Sequence, residues 1–190
     1  MMTNPAFIVD GYTELKIIQH LCPGKPVKRT YLNGKDVKIP LIAKKIASHI
    51  RLLGNRYYPI IVLVDKEERE ISFEEMANQI REGIMCEGIK DQDIRIGVAD
   101  RMIENWIIAD WDLLTGSKEK KPQITDGCNG TSVIKKVKKS YDKTTDGVNF
   151  FISSRQHLLY SNSPSFRHFI DQLEGIQCEY LKFDKSKPNL

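Results

Sequence analysis

The sequence predicts an α/β protein with a largely parallel, four-stranded central sheet flanked by helices, and with extra helices toward the C-terminus. Short apolar runs alternate with longer amphipathic segments in the order β-α-β-α-β-α-β-α, which is typical of parallel sheets. The run 59–64 is β-branched and has no polar alternation, as in strands buried on both faces. Two of the apolar runs end directly in aspartate, at the sheet edge where α/β proteins bind ligands.

The first half of the chain contains two strand–helix pairs. Residues 6–9 form an apolar strand, after which Gly11 permits a tight turn and Thr13 or Glu14 opens a helix. Residues 27–32 are the second predicted strand. From Pro40, apolar residues recur at helical spacing until Gly54, which stands where glycine often ends a helix.

The next two pairs begin with the apolar run 59–64. Ser72 and Glu75 then form a capping-box pattern at the start of a third helix. Residues 93–99 alternate as a fourth strand, and Asp100 is expected to cap a helix that runs from residue 102 to about residue 112. The two tryptophans on that helix are expected in the core.

The whole chain, 1–190, is interpreted as a single domain, with an α/β core over 1–114 and a helical extension over 115–190. Residues 115–130 are typical of a loop, and a basic helix follows over 132–140. A last helix is expected after Ser163 and ends near Gly175.

Composition narrows the class of protein. The net charge of +4 permits a nucleic-acid partner without requiring one. The four cysteines are scattered without a C-x-x-C pair, which supports no zinc or redox motif and favours reduced thiols in a cytoplasmic protein. No apolar run reaches the roughly 18 residues of a membrane helix, and the N-terminus lacks the pattern of a secretory signal.

Carboxylates follow three of the predicted strands: Asp10 and Glu14, Asp65 and Glu67, and Asp100 and Glu104. Because parallel strands end at one edge of a sheet, these groups can converge. Crowded carboxylates repel one another and need a cation, and hard oxygen ligands suit Mg²⁺ or Mn²⁺. The alternative for these residues is ordinary helix capping or solvated charge.

Other nucleotide and phosphate motifs are missing. There is no G-x-x-x-x-G-K-[S/T], and no G-x-G-x-x-G follows the first strand. The sequence after Asp10 lacks the second aspartate of the D-x-D-x-T motif of haloacid-dehalogenase phosphatases. The four histidines show no metal-binding spacing.

Several short motifs, in order along the chain, resemble a TOPRIM-like family of domains of unknown function, which is often encoded beside an ATPase. Asp10-Gly-Tyr-Thr-Glu14 is similar to the family's E-G-x-T-E, and Asp65-Lys-Glu67 is similar to its D-x-D. The segment 103–110 is similar to E-x-W-L-L-A-D. The remaining similarities are Tyr141-Asp-Lys143 with Gly147, and Ser163-Pro-Ser165-Phe166 with Phe169.

The resemblance implies a TOPRIM/Rossmann-like fold related to OLD-type nucleases, and a metal-dependent nuclease or related phosphotransfer enzyme that acts on DNA or RNA in bacterial anti-phage defence. It implies Asp10, Asp65 and Glu67 as ligands of Mg²⁺ or Mn²⁺, with Glu104 as a further ligand. Glu14 would support the site or a second metal ion, and Lys143 would contact the scissile phosphate. The basic helix would track the nucleic-acid backbone through Lys135, Lys136, Lys138 and Lys139, although these lysines also fit a solvated helix face.

Two positions depart from the family pattern, since Asp10 stands where glutamate is usual and Glu67 stands where aspartate is usual. Each change shifts the carboxylate by one methylene, and Mg²⁺ tolerates little distortion. The alternative is therefore a non-catalytic module that binds a partner ATPase, and a third, weaker alternative is a small-molecule phosphatase. The sequence is compatible with a homo-oligomer.

Overall fold

The structure is a computed structural model that describes residues 3–32, 34–116 and 120–176. Its centre is one sheet of four parallel strands, which confirms the predicted fold class. The strands are β1 (Ala6–Val9), β2 (Val27–Arg29), β3 (Ile60–Asp65) and β4 (Ile94–Ala99), in the spatial order β2-β1-β3-β4.

Helices cover both faces of the sheet. In chain order they are α1 (Tyr12–Leu21), α2 (Ile39–Leu53), α3 (Phe73–Cys86), α4 (Glu104–Ile108), α5 (Trp111–Thr115), α6 (Gly130–Val137), α7 (Asp146–Ser153), α8 (Gln156–Asn162) and α9 (Pro164–Gln172). A short 3₁₀ turn, Gly54–Arg56, follows α2. Within the described ranges, no helix is long and apolar enough to cross a membrane.

Alternate residues of the central strands supply two separate cores. Phe7, Val9, Ile61 and Leu63 face α1 and the helices of the C-terminal half, around the buried Trp106. Ala6, Ile8, Val62, Val64 and their neighbours face α2 and α3. The strands are therefore buried on both faces, which explains their continuous apolar sequence.

The strand order creates a crevice between β1 and β3. From β1 the chain passes through α1 to β2 on one side, and then returns through α2 to β3 on the other side. Helix α1 packs in one core and α2 in the other. The helices that follow β1 and precede β3 therefore diverge at the carboxyl ends of these strands, which is where open α/β sheets hold ligands.

Several local predictions agree with the structure. Helix α2 ends at Gly54, whose φ is 64°. Ser72 Oγ accepts a hydrogen bond from the Glu75 amide, and Ser163 Oγ caps α9 through the Phe166 amide. Both tryptophans are buried.

Other predictions are wrong. The continuous helix over 102–112 is two helices, because Asp110 leaves helical geometry and pairs with Arg155, while the Ala109 carbonyl accepts from Asn162. Helices α7 and α8 had no counterpart in the sequence prediction. Among the cysteines, Cys86 and Cys128 are free, but Cys22 is disulfide-bonded, so the expectation of reduced thiols fails there.

Candidate functional site

Asp10 and Asp65 meet in the crevice between β1 and β3. Asp10 directly follows β1 and Asp65 is the last residue of β3, so the parallel pairing of these strands brings them together. The Asp65 amide donates a hydrogen bond to Asp10 Oδ2 at 3.0 Å. Both side chains are buried, with 4% and 6% of their residue surfaces exposed.

Glu14 joins them from the first turn of α1, also buried. Its carboxylate folds back over Gly11, where a Cβ atom would lie 2.0 Å from Glu14 Oε2. Gly11 has φ −111°, which any residue can adopt. The prediction that Gly11 is needed for its backbone freedom is therefore wrong. Gly11 is required because the absence of a side chain leaves room for the Glu14 carboxylate.

Glu104, fully buried at the start of α4, completes an acidic cluster that we define as Asp10, Glu14, Asp65 and Glu104. The Lys143 ammonium lies 3.4 Å from Glu104 Oε2 and 3.8 Å from Asp65 Oδ2. The Tyr141 hydroxyl donates to Glu104 Oε1 at 3.4 Å. Lys143 thus supplies a positive charge to a group of four acids.

A tight turn holds Lys143 in this position. Asp142 Oδ1 accepts hydrogen bonds from the backbone and hydroxyl groups of Thr144 and Thr145, at 2.8–3.0 Å. The turn is also bound to α1, because Lys16 donates to the Thr144 carbonyl at 3.3 Å and Thr13 Oγ1 lies 3.5 Å from the Lys143 carbonyl. Residues distant in sequence therefore fix the lysine against the cluster.

Burial dominates the electrostatics of the cluster. Burial, and then the Glu14 charge, raises the pKa of Asp10 to about 8. Burial and the neighbouring acids likewise raise the pKa of Asp65 and that of Glu14. Burial lowers the pKa of Lys143, but the carboxylates of Asp65, Glu104 and Glu14 outweigh that effect and hold its pKa above the ordinary value. The lysine therefore stays charged.

The cluster leaves carboxylate oxygens unsatisfied. Asp10 Oδ1, Glu14 Oε1 and Asp65 Oδ1 are buried and have no hydrogen-bond partner among the described residues. An unpartnered buried acceptor is costly, so such atoms call for a ligand. The donor chemistry fits Mg²⁺ or Mn²⁺, although in the described part of the chain no three His, Cys, Asp or Glu side chains are arranged closely enough to hold a metal ion.

A small cleft opens beside the cluster. It encloses about 220 Å³ and is lined by Asp10, Glu14, Asp65, Glu67, Lys143 and Arg29, among others. Glu67 lies here with φ 59°, a strained backbone for a residue other than glycine, and its charge contributes to the raised pKa of Asp10. Glu104 does not line the cleft, and its partners are Tyr141 and Lys143.

The remaining predicted residues lie elsewhere. Lys135 and Lys136 are exposed on α6, Lys138 and Lys139 are exposed just after it, and none of them lines the cleft. Asp100 does not cap α4, contrary to expectation, because its carboxylate pairs with Lys66 at 2.7 Å and α4 begins four residues later.

Sequence reasoning missed three contributors to the site. Tyr141 was noticed only as part of a motif, and its contact with Glu104 needs the packing of α6 beside α4. Arg29 reaches the cleft from the edge strand β2, which no spacing rule indicates. The Asp142 turn had a readable signal, since an aspartate side chain that bonds to the backbone two residues on favours such turns.

Comparison with known proteins identifies a family without assigning an activity. A family model described as "Domain of unknown function (DUF4276)" matches residues 9–174, a span that includes the whole acidic cluster and Lys143. No curated protein and no solved structure matches the chain. Since the family match extends over most of the sequence, the chain belongs to the DUF4276 family of domains of unknown function.

Proposed function

We propose that this protein is a metal-dependent nuclease, or a related phosphotransfer enzyme, that acts on nucleic acid. One observation carries the proposal: three segments distant in sequence bury the carboxylates of the acidic cluster together, and one oxygen each of Asp10, Glu14 and Asp65 has no hydrogen-bond partner in the described chain. Folding tolerates such a cost chiefly at functional sites.

The ligands of Mg²⁺ or Mn²⁺ would be Asp10 and Asp65, with Glu67 at the cleft wall and Glu14 as a supporting acid. These residues share the cleft, and all supply the hard oxygen atoms that these ions prefer. A bound ion would stabilise charge on phosphoryl oxygens and activate water. We propose that Glu104 orients Lys143 and does not bind the metal ion, because it is fully buried behind the cleft and contacts Lys143.

Lys143 is suited to bind the scissile phosphate. Its side chain is 42% exposed while its ammonium lies against Asp65 and Glu104, so it connects the cluster with solvent. The acids keep it charged, and a fixed cation near a phosphoryl group stabilises the negative charge that develops there. Glu104 and Tyr141 would orient it.

The wider setting is part of the proposal. The predicted TOPRIM relationship agrees with the parallel sheet and with acids at the ends of β1 and β3. An ATPase partner and a role in bacterial defence follow from that resemblance. The exposed lysines on and after α6 would contact a nucleic-acid backbone away from the cleft.

The direct test incubates the purified protein with single-stranded and duplex DNA and with RNA, in Mg²⁺ or Mn²⁺, and measures cleavage on denaturing gels. The matched variants are Asp65→Ala and Asp112→Ala, the second removing an exposed acid remote from the cleft. We expect cleavage by the native protein and the Asp112 variant, and loss of cleavage in Asp65→Ala. Equal cleavage by both variants, or none by the native protein with its ATPase partner added, contradicts the proposal.

A non-catalytic module that binds the partner ATPase is the second candidate. The ion pairs of Lys143 favour it, because this lysine already supplies part of the positive charge that the cluster requires. This candidate predicts neither cleavage nor metal binding, whereas the enzyme requires both.

A further inference from the structure

Arg29 is the one basic residue besides Lys143 that lines the cleft, within the described chain, and its Nε is buried without a hydrogen-bond partner there. It forms no described salt bridge with the acids beside it, in contrast to Lys143. A guanidinium is a preferred partner for phosphate groups. Its unused donor therefore points to an anionic ligand at the mouth of the cleft.

Two tyrosines flank this arginine. The Arg29 guanidinium carbon lies 4.3 Å from the Tyr31 ring centroid and 5.4 Å from that of Tyr12. The ammonium of Lys16 lies 4.9 Å from the Tyr12 ring centroid. Tyr31 is nevertheless 69% exposed and Tyr12 is 45% exposed. Each ring therefore contacts a cation while much of the residue's surface faces solvent.

The backbone at Tyr31 is strained, with φ at 60°. Such a conformation is unusual for a bulky residue and persists only where its surroundings impose it. Tyr31 lies two residues after β2, at the edge of the sheet, and its exposed ring lies beside Arg29.

A second cavity of about 500 Å³ continues from this point. Its lining includes Thr30, Tyr31, Leu32, Lys44 and Lys45, and none of the described residues that line it is acidic. Arg29 lines the cleft beside α1 and the next two residues line this cavity beside α2, so the two spaces flank the end of β2. Positive charge and aromatic surface thus continue for several residues away from the acidic cluster.

We propose that this edge is the path of a single-stranded nucleic acid, with a base stacked on Tyr31, phosphates bound by Arg29, Lys44 and Lys45, and the strand leading into the acidic cleft. The inference rests on the proposed nuclease function and specifies the strandedness of its substrate. Alternating stacking platforms and cations are what single-strand binding requires. A duplex keeps its bases stacked inside, so Tyr31 cannot reach their faces.

The path is tested by measuring how tightly the protein binds a fluorescein-labelled oligothymidylate of about 12 nucleotides. Binding is measured by fluorescence anisotropy in EDTA, which removes divalent ions and so prevents cleavage. We expect Tyr31→Ala and Arg29→Gln each to weaken binding about tenfold, and Tyr31→Phe to bind like the native protein. Tyr58→Ala, a change at a tyrosine before β3 at the opposite end of the sheet, is the matched control and should have no effect. Replacing Lys44 and Lys45 together by glutamine should reduce the slope of log affinity against log salt by about 1.4.

The inference is overturned if Tyr31→Ala and Arg29→Gln bind as tightly as the native protein, if a duplex binds as well as the single strand, or if no oligonucleotide binds. Cleavage assayed separately in Mn²⁺ distinguishes it from the proposed function. If cleavage is lost in Asp65→Ala while Tyr31→Ala changes neither cleavage nor binding, the proposed single-strand path is contradicted and the proposed nuclease function is retained. Tyr31-dependent binding without any cleavage supports the path and removes the nuclease.

Discussion

Buried acids occur in two kinds of surroundings in this protein. Asp110 is fully buried, and its carboxylate accepts hydrogen bonds from the amide, Nε and a terminal nitrogen of Arg155. The partly buried Asp126 similarly accepts hydrogen bonds from the Ser163 hydroxyl and the Ser165 amide. Asp10, Glu14 and Asp65 each keep a buried oxygen without such a partner. The chain is thus able to satisfy a buried acid with hydrogen bonds, and Asp10, Glu14 and Asp65, which are not satisfied in this way within the described residues, lie together at the crevice between β1 and β3.

The pKa directions separate Asp110 from the acidic cluster, while burial raises the pKa of Asp126 despite its hydrogen bonds. Burial raises the pKa of Asp110, but its hydrogen bonds and charge interaction with Arg155 outweigh burial and bring its pKa below the ordinary 3.8. In the acidic cluster burial prevails and the pKa of Asp10 rises to about 8. Asp110 therefore stabilises the fold in its charged form, whereas burial favours the protonated forms of Asp10 and Asp65.

The largest expected effect comes from Lys143→Gln. If Lys143 contacts the phosphate, cleavage of single-stranded DNA in Mn²⁺ should fall about 100-fold. Binding of Mn²⁺ should not weaken, because the ammonium no longer competes for Asp65. Lys90→Gln, an exposed lysine at the other end of the sheet, is the control. Loss of metal binding together with activity would instead make Lys143 part of the scaffold.

The Asp110–Arg155 pair tests whether an acid that is satisfied by hydrogen bonds stabilises the fold. Asp110→Asn should lower the free energy of unfolding by about 2–3 kcal/mol at pH 7, less than for a fully buried pair because Arg155 is 48% exposed. Since the folded pKa is depressed, this contribution exists above pH 3.8 and disappears as the pH falls through the lower folded value. Urea unfolding at several pH values measures it.

The control for that experiment is Asp112→Asn. Asp112 is 56% exposed and lies 3.6 Å from the same arginine, so its loss should cost less than about 0.5 kcal/mol. Equal costs for the two variants, or a cost for Asp110→Asn that persists well below pH 3.8, would show that its pairing is not what stabilises this part of the fold.

Gly11→Ala should have a smaller effect that is confined to the cluster. The added Cβ displaces the Glu14 carboxylate, and we expect Mn²⁺ to bind about tenfold more weakly in calorimetry. Gly83→Ala is the matched change, because its Cβ would lie 2.6 Å from Ala43 Cβ between α2 and α3. That variant should lose stability and retain metal affinity, so a similar loss of affinity in both would contradict the role of Glu14.

Asp142→Ala should have the smallest effect. It removes the acceptor that holds Thr144 and Thr145, so Lys143 becomes less well positioned and cleavage should fall by roughly fivefold. Asp142→Asn keeps one acceptor oxygen and should restore most of the rate. An asparagine variant as slow as the alanine variant would argue for charge rather than positioning.

Most of the sheet could be predicted from local sequence. The runs that became β1, β3 and β4 are apolar because both of their faces are covered, and the ends of α2, α3 and α9 follow from Gly54, Ser72 and Ser163. Helices α4 and α5 could not be separated, because the break depends on Arg155, distant in sequence. Helices α7 and α8 are short, and tertiary packing rather than strong periodicity defines them.

The candidate site divides in the same way. Asp10 and Asp65 were predictable, because a parallel sheet brings strand ends to one edge. Their adjacency depends on the strand order, which the sequence leaves undetermined. Tyr141 and Arg29 could not be inferred, since only the packed structure places them beside Glu104 and the cleft. The unpartnered oxygens are likewise visible only after all hydrogen bonds have been assigned.

The central proposal is that Asp10 and Asp65, with Glu67 and Glu14 beside them in the cleft, bind a divalent cation. Calorimetric titration with Mn²⁺ of the native protein, Asp65→Asn and the satisfied-acid control Asp126→Asn tests it most directly. We expect binding at millimolar concentrations or below by the native protein and the Asp126 variant, and binding at least about tenfold weaker in Asp65→Asn. Absence of binding to the native protein, or equal binding by Asp65→Asn, would contradict the claim.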